Sequence, residues 1–196
     1  MKKIMFNDRY GLTQAVLEGK KTMTRRMIGD VGSVESYFDK EGYLRCNMFD
    51  GGVFVGAMKS AYYSGEVVAV AQRYSELAKI DDYYNCEQAK RQAGWHNKMF
   101  VKAQLMFYRI RIAGIKAERL QDISDEDCRR EGIIRQSVIE YGDKKIVQWT
   151  YFREKITKWY DSPREAFAAL IDRITGKGTW ERNPWVFAYE FELIKY

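Results

Sequence analysis

The chain predicts an α+β fold built around a mixed, barrel-like sheet. Three observations lead there. Its β-rich runs are short, two of its helices carry full start and stop signals, and no regular strand–helix–strand period joins them. At 196 residues, 46% of them hydrophobic, the chain can bury one core, so residues 1–196 are read as a single domain.

The elements follow in order. "KKIMF" is a short apolar strand. "DRYGLTQAVLEG" places Leu12, Ala15 and Val16 at helical spacing, and Gly19 sits where a helix end wants a residue tolerant of positive φ. "TMTRRMI" is a second strand, and "GEVVAVAQ" (65–72) is a β-rich run after a Ser-Gly turn. "LMFYRIRIAGIKAERL" (105–120) reads as one long strand or two joined by a bend at Gly114. "ISDEDCRREG" is a helix with Ser124 as its cap, acids in the first turn, Arg129 and Arg130 in the last, and Gly132 behind. In "DSPREAFAALIDRITG" Ser162 caps, Pro163 takes the first helical position, and Phe167, Leu170, Ile171 and Ile174 line one face. "WVFAYEFELIKY" closes the chain as a strand, with Phe187, Tyr189, Phe191 and Leu193 on one face. Three segments, near 29–60, 76–97 and 133–160, are expected as surface insertions.

No apolar run approaches the roughly 18 residues of a spanning helix, and the N-terminal stretch is too short for a signal peptide, so no membrane is expected and the cytoplasm is the compartment. Cys46, Cys86 and Cys128 are far apart and lack ligand spacing, which argues for reduced thiols with no metal and no cofactor. The net charge of +6 favours anionic partners, RNA or nucleotides first among them. His96, the only histidine, has no nucleophile motif around it and reads as a loop residue. Among the aromatics, Tyr62 and Trp185 are the residues expected to stack on a base.

The chemistry concentrates in "EGKKTMTRR", residues 18–26. A strand starting near Thr22 puts Thr22, Thr24 and Arg26 on one face and Met23 and Arg25 on the other. Lys21, in the turn, can reach back over Thr24. A threonine hydroxyl becomes a nucleophile when a base accepts its proton, and a desolvated lysine near other cations can be that base. Arg25 and Arg26 supply the cations, and Arg26 suits a phosphate or carbonyl oxygen. On spacing alone a solvated strand edge remains the simpler reading.

The run Gly19-x-Lys21-Thr22-x-Thr24-x-Arg26 after a short helix, followed by "SGEVVAV", "SDEDCRREGI" and a closing "YEF", resembles the ASCH domains, a branch of the PUA-like superfamily. The resemblance covers residues 1–28, 62–72, 105–133 and 183–195, and "GKGTWERNPWVFAYEFELI" is similar to the end of larger ASCH proteins of bacterial and phage genomes. It implies a PUA-like β-barrel with flanking helices that binds RNA or a modified nucleoside in a basic cleft. One small branch deacylates acetylcytidine with a lysine, a threonine and a glutamate. By that resemblance Lys21, Thr24 and Glu131 are the catalytic set of an amidohydrolase alternative. Glu131 also opposes the helix dipole in its last turn. A phage or mobile-element accessory protein acting through protein contacts is the third expectation.

Overall fold

The computed structural model describes residues 1–141, 144–151 and 158–194. In chain order its elements are β1 (Lys3–Ile4), α1 (Leu12–Leu17), β2 (Met23–Gly29), β3 (Ser33–Phe38), β4 (Tyr43–Asp50), β5 (Val53–Tyr63), β6 (Val67–Val70), α2 (Tyr74–Leu77), α3 (Glu87–Lys90), β7 (Arg109–Arg119), α4 (Asp125–Arg130), β8 (Ile133–Tyr141), β9 (Lys144–Tyr151), α5 (Pro163–Thr175), α6 (Thr179–Arg182) and β10 (Trp185–Ile194). The class is α+β. Residues 142–143 and 152–157 of the third expected insertion, and 195–196 of the closing strand, lie outside the described residues.

The principal sheet has the order β1-β6-β7-β10-β2. Strand β1 runs parallel to β6, and the remaining pairs are antiparallel. Strand β10 is flanked on both sides, and Val186, Phe187, Ala188, Tyr189 and Phe191 are all buried, as a strand covered on both faces requires. In β7 the buried positions change parity, from Ile110 and Ile112 to Ile115. The pairing with β10 shifts register there, Glu190 lying opposite Gly114 and Phe191 opposite Ile112. This is a β-bulge, and it decides between the two readings of residues 105–120: one strand with an extra residue rather than two strands.

The expected barrel closure is not made: among the described residues the five-stranded sheet is open, with β1 and β2 as its edges. A two-residue β1 offers too few backbone groups to pair with β2. The edges nevertheless approach, because the Arg26 Nη2 on β2 donates to the carbonyl of Met5, just beyond β1, at 2.6 Å. A seam bridged by a side chain stands where a barrel would have a ladder.

Segments expected as surface insertions also contribute to the core. Strands β3, β4 and β5 form a meander whose Leu44 and Cys46 join the main hydrophobic cluster. It is fastened to the large sheet by the Ala61 N–H, which donates to the Tyr189 hydroxyl at 2.8 Å, and by the Tyr62 hydroxyl, which donates to the Lys3 carbonyl at 3.0 Å. Ile133, Tyr151 and Tyr160 of the third segment pack into the same cluster, beside α5. The tip of β5 is different: Val53, Phe54 and Val55 are exposed. The helix signals hold at the atomic level. The hydroxyls of Ser124 and Ser162 accept from the N–H groups of Asp127 and Glu165 at 3.0 and 3.1 Å, and Pro163 opens α5.

Cys46 and Cys128 are buried and Cys86 is exposed. Burial pushes the Cys46 thiol up to about 11 and, with smaller contributions from charges around it, the Cys128 thiol up to about 12. A disulfide reagent at pH 8 is therefore expected to titrate one thiol in the native protein and three after unfolding in denaturant. The folded state keeps these protons where an unfolded thiol near 9.0 releases them, so their contribution to stability should fall as pH rises above that value. Measuring unfolding free energy from pH 8 upward checks the sign.

Candidate functional site

The seam is built from the end of α1. Gly19 adopts φ 72°, and the N–H groups of Lys20 and Lys21 both donate to the Ala15 carbonyl, at 2.9 and 3.0 Å, turning the chain across the helix end. The Thr22 N–H then donates to the Arg130 carbonyl at 2.8 Å and ties the start of β2 to the end of α4. Gly132, at φ 102°, closes the junction. A Cβ there would lie 3.7 Å from the Lys21 Cβ and 3.8 Å from that of Ala15, in a backbone conformation that L side chains rarely adopt.

Across this junction the Lys21 Nζ donates to the Glu131 carbonyl at 2.7 Å and to its Oε2 at 2.6 Å. The two side chains are only 1% and 5% exposed. Glu131 Oε1 accepts from Arg25 Nη1 at 3.0 Å. Arg25 is also bonded to Glu118, through Nε at 2.9 Å and Nη2 at 2.6 Å, and to Asp127 through Nη2 at 3.2 Å. Lys116 joins Glu118 and Asp127 at 2.8 and 3.4 Å, and Arg130 pairs with Glu190 and approaches Asp127 at 3.7 Å. Lys21, Arg25, Lys116 and Arg130 thus meet Glu118, Asp127, Glu131 and Glu190, and the network is formally neutral.

Burial pushes the Lys21 amine below its ordinary value. Glu131 opposes that shift, while Arg26 and Arg25 add to it. Burial would also lower the Arg25 guanidinium, but Glu131 and Glu118 more than reverse the effect. Two cations sharing one carboxylate leave the lysine as the weaker claimant, because a guanidinium keeps its charge under nearly all conditions.

Lys21 and Glu131 are therefore brought together. Thr24 lies opposite Tyr189 in the strand register and is 4% exposed, and its hydroxyl makes no hydrogen bond among the described residues. Arg26 shares its face, opposite Phe187. Thr22 departs from the face expected for it: β2 begins one residue later, at Met23, and the Thr22 hydroxyl accepts from Arg130 on the α4 side. Arg25 is on the opposite face from Thr24, as alternation requires, and is enclosed among carboxylates instead of facing a ligand. Arg26 is exposed and makes no ion pair among the described residues. Tyr62 stands beside it, near enough that the Arg26 charge opposes the rise burial causes in the Tyr62 hydroxyl. Trp185 is not brought to the seam. It pairs with Gly29, five residues past Thr24, a separation of roughly 16 Å at a strand rise of about 3.3 Å. There it stacks under Arg119 at 5.0 Å. His96 is exposed after a short 3-10 turn.

Sequence reasoning does not reach Glu118, Lys116, Asp127 and Glu190 as members of the site. The signal that reaches them is the shift of apolar parity across Gly114, which places Lys116 and Glu118 together on the face that α4 covers. Among the described residues no group of three or more His, Cys, Asp or Glu could hold a metal ion, and no helix is long and apolar enough to cross a membrane. Comparison of the chain with protein families, curated proteins and solved structures gives no match.

Two substitutions separate what holds this site together from what is free in it. Glu131→Gln leaves Lys21 and Arg25 buried against a neutral amide and is expected to cost about 3–5 kcal/mol of unfolding free energy in urea. Thr24→Val replaces an unbonded hydroxyl by a methyl group of the same shape and should be neutral or slightly stabilising.

Proposed function

We propose that the chain is a PUA-like ASCH protein that binds RNA or a modified nucleoside at the seam between β1 and β2, in contact with Thr24, Arg26 and Tyr62. One observation carries this reading. Arg26 is an exposed cation with no carboxylate partner among the described residues, set beside a hydroxyl that no protein group uses. The neutral network against α4 holds Lys21 and Arg25 in place but presents no net charge, so the attraction for an anion falls to Arg26. A guanidinium suits phosphate or carbonyl oxygen, and a free hydroxyl suits the edge of a base or a ribose.

A second reading is favoured by the Lys21–Glu131 pair itself: an amidohydrolase acting on an N-acylated cytidine or a similar amide. The Thr24 hydroxyl would attack the acyl carbon as Lys21, in its neutral form, takes its proton; Glu131 would relay that proton to the leaving amine, and water would then cleave the acyl–threonine ester and restore the hydroxyl. A buried amine with a lowered pKa supports the base. Lys21 and Thr24 are not hydrogen-bonded to each other, so substrate binding would have to draw them together.

The test takes both arms. Affinity for a short RNA should fall steeply with added salt, and Arg26→Ala should weaken it by roughly tenfold or more, the worth of a charge-assisted hydrogen bond. Incubation with acetylcytidine, monitored for cytidine and with Lys21→Ala as control, tests turnover. Cytidine release that depends on Lys21 would put the amidohydrolase first. Absence of affinity for either ligand at low salt would dismiss both readings in favour of protein contacts.

A further inference from the structure

Next to the seam lies a groove of about 590 Å3, lined by Lys2, Lys3, Tyr62, Met99, Phe100 and Lys102 among others. None of its lining residues is acidic. Its floor is the loop 98–104, and that loop is pinned from below. The Lys98 amine, buried, donates to the Phe6 carbonyl at 2.7 Å, to Asp8 Oδ1 at 2.6 Å and to the Thr13 hydroxyl at 2.9 Å. Val101 and Ala103 are buried beside Met106. With residues 98, 101 and 103 turned inward, Met99 and Phe100 project outward at 58% and 61% exposure, and Lys102 is exposed with them.

The charge at the wall is unusual. The Lys3 amine donates to three backbone carbonyls, those of Lys98, Met99 and Val101, at 3.1, 2.5 and 2.8 Å. These acceptors orient the ammonium but do not neutralise it, and no carboxylate pairs with it among the described residues. Burial accordingly lowers its pKa. The clamp also fixes the backbone that carries Met99 and Phe100, so the apolar platform is ordered before any ligand arrives. Lys2 differs, being paired with Glu66 at 3.2 Å.

We propose that this groove receives the nucleotide flanking the one held at Arg26 on a single-stranded RNA, its base stacked on Phe100 and Met99 and its phosphate facing Lys102 and Lys3. An ordered aromatic platform beside uncompensated cations and without acids is what a single strand recognises. The continuity is physical: the Tyr62 hydroxyl donates to the Lys3 carbonyl, and Arg26 to the Met5 carbonyl two residues on, so one stretch of backbone borders both sites. The proposal rests on the nucleic-acid reading of the seam.

The test compares a cytidine mononucleotide with a pentaribonucleotide in direct binding assays, using the wild type and a Phe100→Ala/Lys102→Glu double variant. Both substituted side chains are exposed, so an unchanged far-UV spectrum is expected. Wild type should bind the pentamer at least about tenfold more tightly than the mononucleotide, and the variant should lose that gain while its mononucleotide affinity stays within about twofold. The salt slope for the pentamer should fall by about one with loss of the lysine. A variant that binds the pentamer like wild type overturns the proposal, as does a wild type that binds pentamer and mononucleotide alike. If wild type binds neither, the failure lies in the reading of the seam, and the groove proposal falls with it.

Discussion

A single carboxylate organises the region where the large sheet fails to close. Glu131 stands at the end of a helix, against the dipole, and is almost fully withdrawn from water. Such a group is tolerated only when cations and hydrogen bonds replace its hydration, and Lys21 and Arg25 supply both. The dependence runs both ways. Without the carboxylate the lysine could not stay buried at the turn after α1, and without the arginine β2 would lose its ion pairs to Glu118, Asp127 and Glu131.

The anchoring separates two electrostatic environments across one sheet. On the α4 face four cations and four carboxylates cancel, which fixes geometry and leaves little field. Along the β1–β2 seam Arg26 and Lys3 instead meet neutral carbonyls. Cations without a carboxylate partner among the described residues therefore stand at the seam and the groove although the chain as a whole carries only +6. Modest net charge and a concentrated local field are compatible because the cancellation is spatially sorted.

Much of this was legible in the sequence, and the parts that were not share a cause. The helix caps at Ser124 and Ser162, the positive φ at Gly19, and the faces of β10 follow from local rules, and local rules held. Lys21 and Glu131 are 110 residues apart and bonded to each other, a meeting that no local rule reaches. The position of Thr22 was lost to a strand that starts one residue later than its propensity suggested. The inward Lys98, and the contribution of Leu44 and Cys46 to the core, depend on long-range packing that composition hides. Glycine-rich and polar stretches read as surface because their few buried residues are diluted by exposed ones.

The bulge at Gly114 has a consequence for how the charge network is encoded. A strand alternates its faces by counting, and an extra residue inverts the count. Upstream of the bulge even-numbered residues of β7 point into the core; downstream they point to α4, which is how Glu118 comes to meet Arg25 and Lys116 to meet Asp127. Deleting one residue at this point would alter no charge and no hydrophobic side chain, yet it would exchange Ile115 and Ala117 for Lys116 and Glu118 across the sheet. The location of the network is thus written in chain length, as a matter of odd and even, and a family of sequences could drift in every side chain along this strand while conserving the parity that makes the site.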